Sequence, residues 1–417
     1  MFIKRDLYLQ QLKDRQLNSM VKVITGIKGC GKTFLLFTIF KEYLLGQGVT
    51  EDQIIEVSLD TDIHASLRDP DLLSEHIRSK IVSQTTQYYL FIDEAQFAIT
   101  KEEMKQKDNP IRLYAVLNGL IRLKNLDIYI TGSNSKFLSK DVLTSFRGRG
   151  DEIHVHPLSF KEFYQHTGGE VAQSYETYER YDGMPFVVGI ADDARKRSYL
   201  SSLVEEIYIK DIIERYAIEY EHVLRQLIDL LFSTIGSLTN ANRLAKALIS
   251  AGNKTMSQET VASYMNIIVE SFLFSEAKRF DVKGKRSVSY PSKFYATDIG
   301  IRNARLNYRQ QEPSHLMENI IYNELVRRGY TVDVGVVEYK RKQSEITFIA
   351  NRSLEKVYIH LPKDVADMEF QKRVLLTIRD NFPKIIITRT LAKRWVDEDG
   401  IIHLGLYEFL LEEDVLR

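Results

Sequence analysis

The chain has 417 residues, and its 57 Lys and Arg are balanced by 57 Asp and Glu. That balance excludes a global field drawing it to nucleic acid or membrane, so any such site must be a local patch. A hydrophobic share of 44% and a charged share of 27% exclude a disordered or fibrous chain, and the single cysteine, Cys30, excludes an internal disulfide framework and fits a reducing compartment.

The length gives room for about two to four domains. The opening "MFIKRDLYLQ" carries charge where a signal peptide needs an apolar run, and no uncharged apolar stretch approaches a membrane span. The expectation is a cytoplasmic protein with no membrane partner.

The segment "VKVITG" (21–26) is apolar, β-branched and ends at glycine, which reads as a buried parallel strand. "GIKGCGKT" (26–33) follows and fits the phosphate-loop pattern G-x-x-x-x-G-K-[ST] at every fixed position. At average composition such a chain would carry the pattern by chance only about 0.01–0.02 times. A helix, "TFLLFTIFKEYLL" (33–45), stops near Gly46 and Gly48. The loop and first helical turn, Gly26, Ile27, Lys28, Gly29, Cys30, Gly31, Lys32, Thr33 and Phe34, are expected to cradle the phosphates of ATP. Lys32 would reach the β- and γ-phosphates and Thr33 would bind Mg²⁺.

"YYLFIDEAQ" (88–96) is an apolar strand ending in two carboxylates. Asp93 is expected to hold Mg²⁺ and Glu94 to polarise the attacking water; an acidic cap after a buried strand is the structural alternative. "QIIEVSL" (53–59), between the two motifs, suggests the additional-strand class of P-loop ATPases. "LDIYITGSN" (126–134) is a further strand whose C-terminal end would fall beside the phosphates. There Ser133 or Asn134 would orient water or sense the γ-phosphate, against a plain Gly-Ser-Asn turn. In "LTSFRGRGDEIHVHPLSFKEF" (143–163), Arg147 and Arg149 flank a glycine before a fifth strand. They are candidate arginine fingers for their own or a neighbouring subunit, against a solvated turn. Ser159 and Glu162 then form a capping box.

These residues, with "IKRDLY" (3–8), "ITGSNSKFLS" (130–139), "YDGMPFVVG" (181–189), "YIKDIIERY" (208–216) and "ENIIYNELVRRGYTV" (318–332), occur in a specific order. In that order the chain resembles, over nearly its whole length, the prokaryotic AAA+-superfamily-like ATPases with a C-terminal DUF4143 domain, allied to the archaeal-type ATPases. The resemblance implies ATP binding, hydrolysis and a nuclease-like fold at the C-terminus. Members often carry an arginine-rich phosphate loop; Lys28 and Cys30 depart from that, with the charge at 28 kept.

Residues 170–220 read as helices, a lid and linker. From 222 to 290 the order is helix, "SLTNANRLAKAL" (237–248), glycine turn, "MSQETVASYMNIIVESFLF" (256–274), then a basic hairpin at 275–298, which reads as a winged helix. Thr255, Ser257 and Gln258 open its second helix, where base edges would be read. Lys278, Arg279, Lys283, Lys285, Arg286 and Lys293 on the wing are candidate phosphate contacts. A protein–protein or intramolecular module is the alternative, and Glu259 and Glu270 do not favour DNA; a protein partner or self-association of the chain is accordingly also an expectation. Tyr290 and Tyr295 at strand spacing read as core.

"HLMENIIYNELVRRGYTVDVGVVEYKRKQSEITFIANRSLEKVYIHLPKD" (315–364) gives helix, strand, strand, strand, the order of a restriction-endonuclease-like core. The resemblance implies E-I-D-F where this chain reads "EITF" (345–348), so Thr347 stands where a carboxylate is expected. A hydroxyl cannot supply the anionic ligand that a hard divalent ion prefers. "YIHL" (358–361) lacks the E-x-K set, so cleavage is not expected. Glu318, Glu324 and Glu345 remain, with Glu318 read as a helix-dipole residue.

The fold expected is therefore α/β: a P-loop core over 1–165, a helical lid over 166–221, a winged helix over 222–298, and a catalytically degenerate nuclease-like domain over 299–417. The function expected is an Mg²⁺-dependent ATPase acting as a conformational switch. An ATP-bound DNA- or protein-binding scaffold with no hydrolysis is the alternative.

Overall fold

The computed structural model describes residues 3–100, 103, 111–133, 146, 148–253, 256–284, 286–310 and 312–416, the side chains of 286–290 excepted. Asn134, Arg147, Thr255 and Lys285, and the side chains of Arg286 and Tyr290, lie outside the described residues. The chain divides into two compact units, Met1–Pro157 with Glu270–Phe272, and Leu158–Val269 with Leu273–Arg417.

The first unit is built on five strands: β1 (Val21–Thr25), β2 (Ile54–Ser58), β3 (Tyr88–Asp93), β4 (Leu126–Gly132) and β5 (Gly150–His154). Their order is β2-β3-β4-β1-β5, and every neighbouring pair is parallel. A parallel sheet is covered on both faces, which is why β1, β3 and β4 are apolar almost without alternation. One face packs Val21, Val23, Leu90, Ile92, Ile128 and Ile130 against the helices Pro70–Lys80 and Arg112–Leu120. On the other face Phe40 and Phe91 pack against the Tyr129 ring, with centroids 4.9 and 5.6 Å away. Phe40 comes from the helical run after the loop, which passes from Lys32–Phe34 through a π-helical stretch, Leu35–Phe40, into Lys41–Gly46.

The additional strand is present, but it is not the one the sequence order suggested. The strand lying between β1 and β3 in space is β4; β2, which sits between the two motifs in the chain, is at the sheet edge. Order along the chain does not set order in a sheet, because each parallel crossover is free to skip a place.

The second unit begins with helices, including Phe160–Thr167, Val171–Tyr181, Asp193–Ser202, Lys210–Tyr216 and Glu221–Ser233. Ser159 and Glu162 form the capping box that starts the first of these. Next come a short strand β6 (Leu238–Thr239), the helices Ala241–Ser250 and Gln258–Glu270, and a hairpin of β7 (Phe274–Asp281) and β8 (Arg286–Ala296). A helix, Pro313–Arg327, leads to β9 (Thr331–Tyr339), β10 (Lys342–Arg352) and β11 (Glu355–His360). The helix Val365–Leu375 precedes β12 (Lys384–Thr388), β13 (Trp395–Val396), β14 (Ile402–Gly405) and the helix Leu406–Leu411.

All nine strands form one sheet, β13-β14-β12-β11-β10-β9-β7-β8-β6. The hairpin does not stand free: Arg279, Phe280 and Asp281 pair with Val334, Gly335 and Val336 of β9. The sheet thus runs across residue 298, and the hairpin edge that a wing would expose is paired instead. Among the described residues no helix is long and apolar enough to cross a membrane.

Candidate nucleotide-binding site

The loop leaves the C-terminal end of β1 and its shape depends on glycine. Gly26, Gly29 and Gly31 have φ of +142°, +84° and +100°. At Gly26 a Cβ would also lie 2.2 Å from the Val155 carbonyl oxygen, so the backbone there passes too close for any side chain. Lys32 is buried and its Nζ donates to the carbonyls of Gly26 at 3.0 Å and Ile27 at 3.2 Å. The ammonium is thereby held against the loop it closes. Lys28, Thr33 and Phe34 are exposed around it.

β3 delivers the two carboxylates beside this loop. Thr33 Oγ1 donates to both Asp93 oxygens, at 3.1 and 2.9 Å. Thr131 on β4 donates its hydroxyl to Asp93 Oδ1 and accepts the Glu94 N–H at 3.0 Å. Burial pushes the Asp93 carboxyl up, the neighbouring Glu94 charge adds to this, and the Thr131 and Thr33 hydrogen bonds oppose it. Hydroxyl and carboxylate oxygens converging at one point are the hard donors that Mg²⁺ takes, with phosphate and water completing the shell.

Glu94 has left-handed backbone, φ 50° and ψ 51°. A non-glycine residue there costs of order 1 kcal/mol or more and persists only where its surroundings hold it. Gln96 Nε2 donates to Glu94 Oε2, and Ser133 Oγ donates to the same oxygen at 3.2 Å. Ser133 is thus brought to Glu94, as one of the two sequence candidates on that turn.

The loop is also braced from the N-terminal segment. Arg5, buried, donates to the Cys30 carbonyl at 3.2 Å and the His156 carbonyl at 2.6 Å, and lies over the Tyr8 ring. Cys30 Sγ contacts the Val155 carbonyl at 3.3 Å, so the lone cysteine is packing for the loop. On β5, His154 meets Thr25 Oγ1 at 2.8 Å; burial, then the Lys32 charge, hold its pKa down at about 4. Burial likewise raises the carboxyl of Glu152, which accepts from Thr25 Oγ1 at 2.7 Å.

Arg149 is not with this group. β5 is parallel to β1, with Gly150 opposite Val21 and His154 opposite Thr25. Arg149 therefore precedes the N-terminal end of its strand, about 16 Å of strand rise from the end that carries the loop. Its assignment to the phosphates of its own chain is corrected by that register. Thr131, Gln96 and Arg5 were missed as site residues. Thr131 was legible in principle, since a hydroxyl near the end of a β-strand beside the Asp93 strand faces the same edge; Arg5 carried no local signal.

In the second unit, two sequence readings change. Lys293 is buried and donates to Glu318 Oε1 at 3.0 Å and Glu345 Oε1 at 2.6 Å, so it is not a free phosphate contact of a wing. Glu318 lies in the second turn of the helix Pro313–Arg327 and serves as that ion-pair partner instead of a helix-dipole residue. Arg279 donates to Gln343 and Lys283 to the Glu338 carbonyl, both within the sheet's own neighbourhood. Thr347 Oγ1 meets His360 Nδ1 at 3.2 Å and accepts the Leu361 N–H. Among the described residues no group of three or more His, Cys, Asp or Glu could hold a metal ion.

Residues 18–164, which span the whole five-stranded sheet, match the family model described as an AAA domain. A protein of Haemophilus influenzae, called an uncharacterized protein, is 33% identical over 416 residues, covering 98% of this chain and 99% of its own.

This chain belongs to that protein's family.

At its front, over residues 18–164, this chain carries an AAA-type domain of the P-loop ATPase class. A second uncharacterized protein, from Methanocaldococcus jannaschii, is 27% identical over 408 residues, 93% of this chain and 85% of its own. Residues 172–312 match a domain of unknown function, DUF8612, where the sequence resemblance implied DUF4143 further on. Among solved structures, AMPPCP-bound DnaA from Aquifex aeolicus aligns with TM-score 0.32 and 16% identity, over 64% of this chain and 87% of that one. The Aeropyrum pernix ORC1 protein in complex with DNA gives 0.29 and 11%, over 74% and 93%. TM-scores this low carry no argument about this chain.

Proposed function

We propose that the protein binds ATP with Mg²⁺ at residues 26–34 and hydrolyses it, using the change as a conformational switch. The observation that supports this best is the joining of Thr33, Asp93 and Thr131 by hydrogen bonds beside Lys32. Thr33 and Asp93 would hold Mg²⁺, which when bound neutralises phosphate charge. Loop N–H groups bind the phosphates and Lys32 moves its donors from the Gly26 and Ile27 carbonyls to the β- and γ-oxygens. Glu94, fixed by Gln96 and Ser133, orients the attacking water and takes its proton; bond cleavage at the γ-phosphorus releases ADP. Positioning and charge neutralisation supply the rate. Asn134 and Arg147 are proposed to face the γ-phosphate.

A second reading, ATP held with little turnover, is favoured by the two donors already engaging Glu94 Oε2. Phosphate release from Mg-ATP separates the two. Wild-type turnover lost at least about 100-fold in Glu94→Gln, with ATP binding kept, supports hydrolysis. No turnover in either protein, with ATP bound, supports the scaffold.

For the second unit we propose that 222–298 is a winged-helix module for nucleic acid or a protein partner, with Lys278, Arg279, Lys283, Lys285 and Arg286 as its basic contacts. We further propose that 299–417 is a nuclease-like fold of the DUF4143 kind without cleavage activity. The helix–strand–strand–strand–helix–strand order and the Thr347–His360 contact support this. Repeating the phosphate assay with duplex DNA tests the first proposal: stimulated turnover favours nucleic acid, unchanged turnover a protein partner. We also propose a reducing cytoplasmic setting, which the single buried cysteine, Cys30, fits.

A further inference from the structure

A cavity of about 560 Å³ lies inside the second unit, between the helix Ala241–Ser250, the start of Pro313–Arg327 and the strand ends of β11 and β12. That size is typical of sites for nucleotide-sized ligands. Its walls carry Arg243, Lys293, Lys363 and Arg389 against the carboxylates of Glu318 and Glu345.

The charges are not equivalent. Lys293 lies between Glu318 and Glu345, and Tyr295 adds a 2.7 Å hydrogen bond to Glu318, so both acids are answered from within the wall. The ammonium occupies the point where a cation would otherwise bridge the two carboxylates, which argues against a metal there. Arg389 is paired with Glu179 at 3.1 Å. Among the described residues the Arg243 side chain makes one hydrogen bond, to the Leu238 carbonyl at 2.9 Å, and neither its guanidinium nor the Lys363 ammonium is paired with a carboxylate, while the Lys363 backbone N–H donates to Asp367 at 2.9 Å. Both are exposed.

The helix Pro313–Arg327 points its first turn, Pro313 to His315, into the same space. The first turn holds no acid, and the N-cap residue, Glu312, makes no side-chain cap and has its carboxylate 4.0 Å from Arg302. The dipole of this fifteen-residue helix adds a partial positive charge, and its first turn contributes the Ser314 N–H as donor, since Pro313 has none and the His315 N–H goes to the Glu312 carbonyl at 3.1 Å. Guanidinium, ammonium and helix N-terminus together are the donor set of a phosphate site. The volume left beyond a phosphate has Met317 and Leu361 on its wall, surfaces suited to a sugar and base.

We propose that this cavity binds a phosphomonoester of nucleotide size, its phosphate held by Arg243, Lys363 and the first turn of Pro313–Arg327. It is a second phosphate site, separate from residues 26–34. The same chemistry is offered by a free nucleoside monophosphate and by the 5′-phosphate end of a nucleic-acid strand.

The test uses the full chain and a thymidine tetranucleotide labelled at its 3′ end, with a 5′-phosphate or a 5′-hydroxyl, read by fluorescence anisotropy. The phosphorylated probe should bind about tenfold more tightly, and Arg243→Gln and Lys363→Gln should each weaken it by about five- to tenfold. Circular dichroism checks that these surface variants stay folded. Equal binding of the two probes, binding undiminished in the double variant, or no binding of either would each overturn the proposal. Thymidine 5′-monophosphate is the competitor: displacement at comparable concentration supports the free nucleotide as ligand, and strand binding without displacement supports the strand end.

Discussion

Thr131 ties three parts of the candidate site into one. Its hydroxyl donates to Asp93 and accepts from the Glu94 backbone, while Thr33 reaches Asp93 from the loop. Thr131→Val keeps the shape of the side chain and removes both bonds. It leaves a buried N–H at the left-handed Glu94 without its partner, which costs about 1–3 kcal/mol. The expected outcome is a kcat for ATP lowered about tenfold or more with KM changed far less, because the variant disturbs positioning and not the loop. A variant with unchanged kcat would remove Thr131 from the site. Lys293 illustrates the opposite lesson: a lysine in a basic stretch of sequence is a core ion pair in the fold.

At the scale of elements, the phosphate loop is held by segments far from it in the chain. Arg5 precedes the helix Asp6–Asp14 and fastens the Cys30 carbonyl to the His156 carbonyl. Arg5→Lys loses the fork that spans two acceptors, so it is not a conservative change. ATP affinity should fall about three- to tenfold and thermal stability should drop, measured by titration and by melting with and without nucleotide. In the second unit, the end of helix Val171–Tyr181 meets the start of helix Ile299–Arg305 through two buried carboxyls, Asp182 and Asp298. Asp182 accepts the Ile299 N–H and Asp298 Oδ1 accepts the Ile301 N–H, while Asp298 Oδ2 accepts no hydrogen bond among the described residues. Burial raises both groups, Asp182 to about 6, and the Asp182 charge adds to the rise at Asp298. Their folded pKa values lie above the unfolded one, so the folded form holds more protons between about pH 4 and pH 6. The contribution of Asp182 to stability is full below about pH 4 and is lost as pH rises through about 6. Asp298→Asn should flatten that decline, read from denaturant midpoints of the second unit across this range. An unchanged slope would mean that the two carboxyls titrate independently.

On the whole-molecule scale, the two units answer different questions. Mg-ATP at about 100 times its Kd should add about 2.7 kcal/mol to the stability of the first unit. Hydrogen exchange of the full chain, with and without Mg-ATP, measures this. A switch requires that protection also change in the second unit, because a ligand moves an equilibrium only through a difference in affinity between states. Protection confined to the first unit would favour the scaffold reading. The AAA-type class of the front was legible because its chemistry is local: a loop of fixed glycines, a lysine and a threonine, and a carboxylate at a strand end. Arg149 and Glu318 were not legible, since their neighbours come from strand register and from β8, more than twenty residues away in Glu318's case.

By itself the sequence determined the strand–loop–helix motif, the Asp93–Glu94 pair, the capping box at Ser159 and the order of helices and strands, because each depends on periodicity or on contacts within a few residues. Only the tertiary structure decided that β4 is the inserted strand, that Arg5 and Thr131 brace the site, that the 274–296 hairpin joins the C-terminal sheet, and that Arg243 and Lys363 share a cavity. Those are long-range pairings, set by which sheet edges and buried charges find partners, and no local pattern encodes the choice.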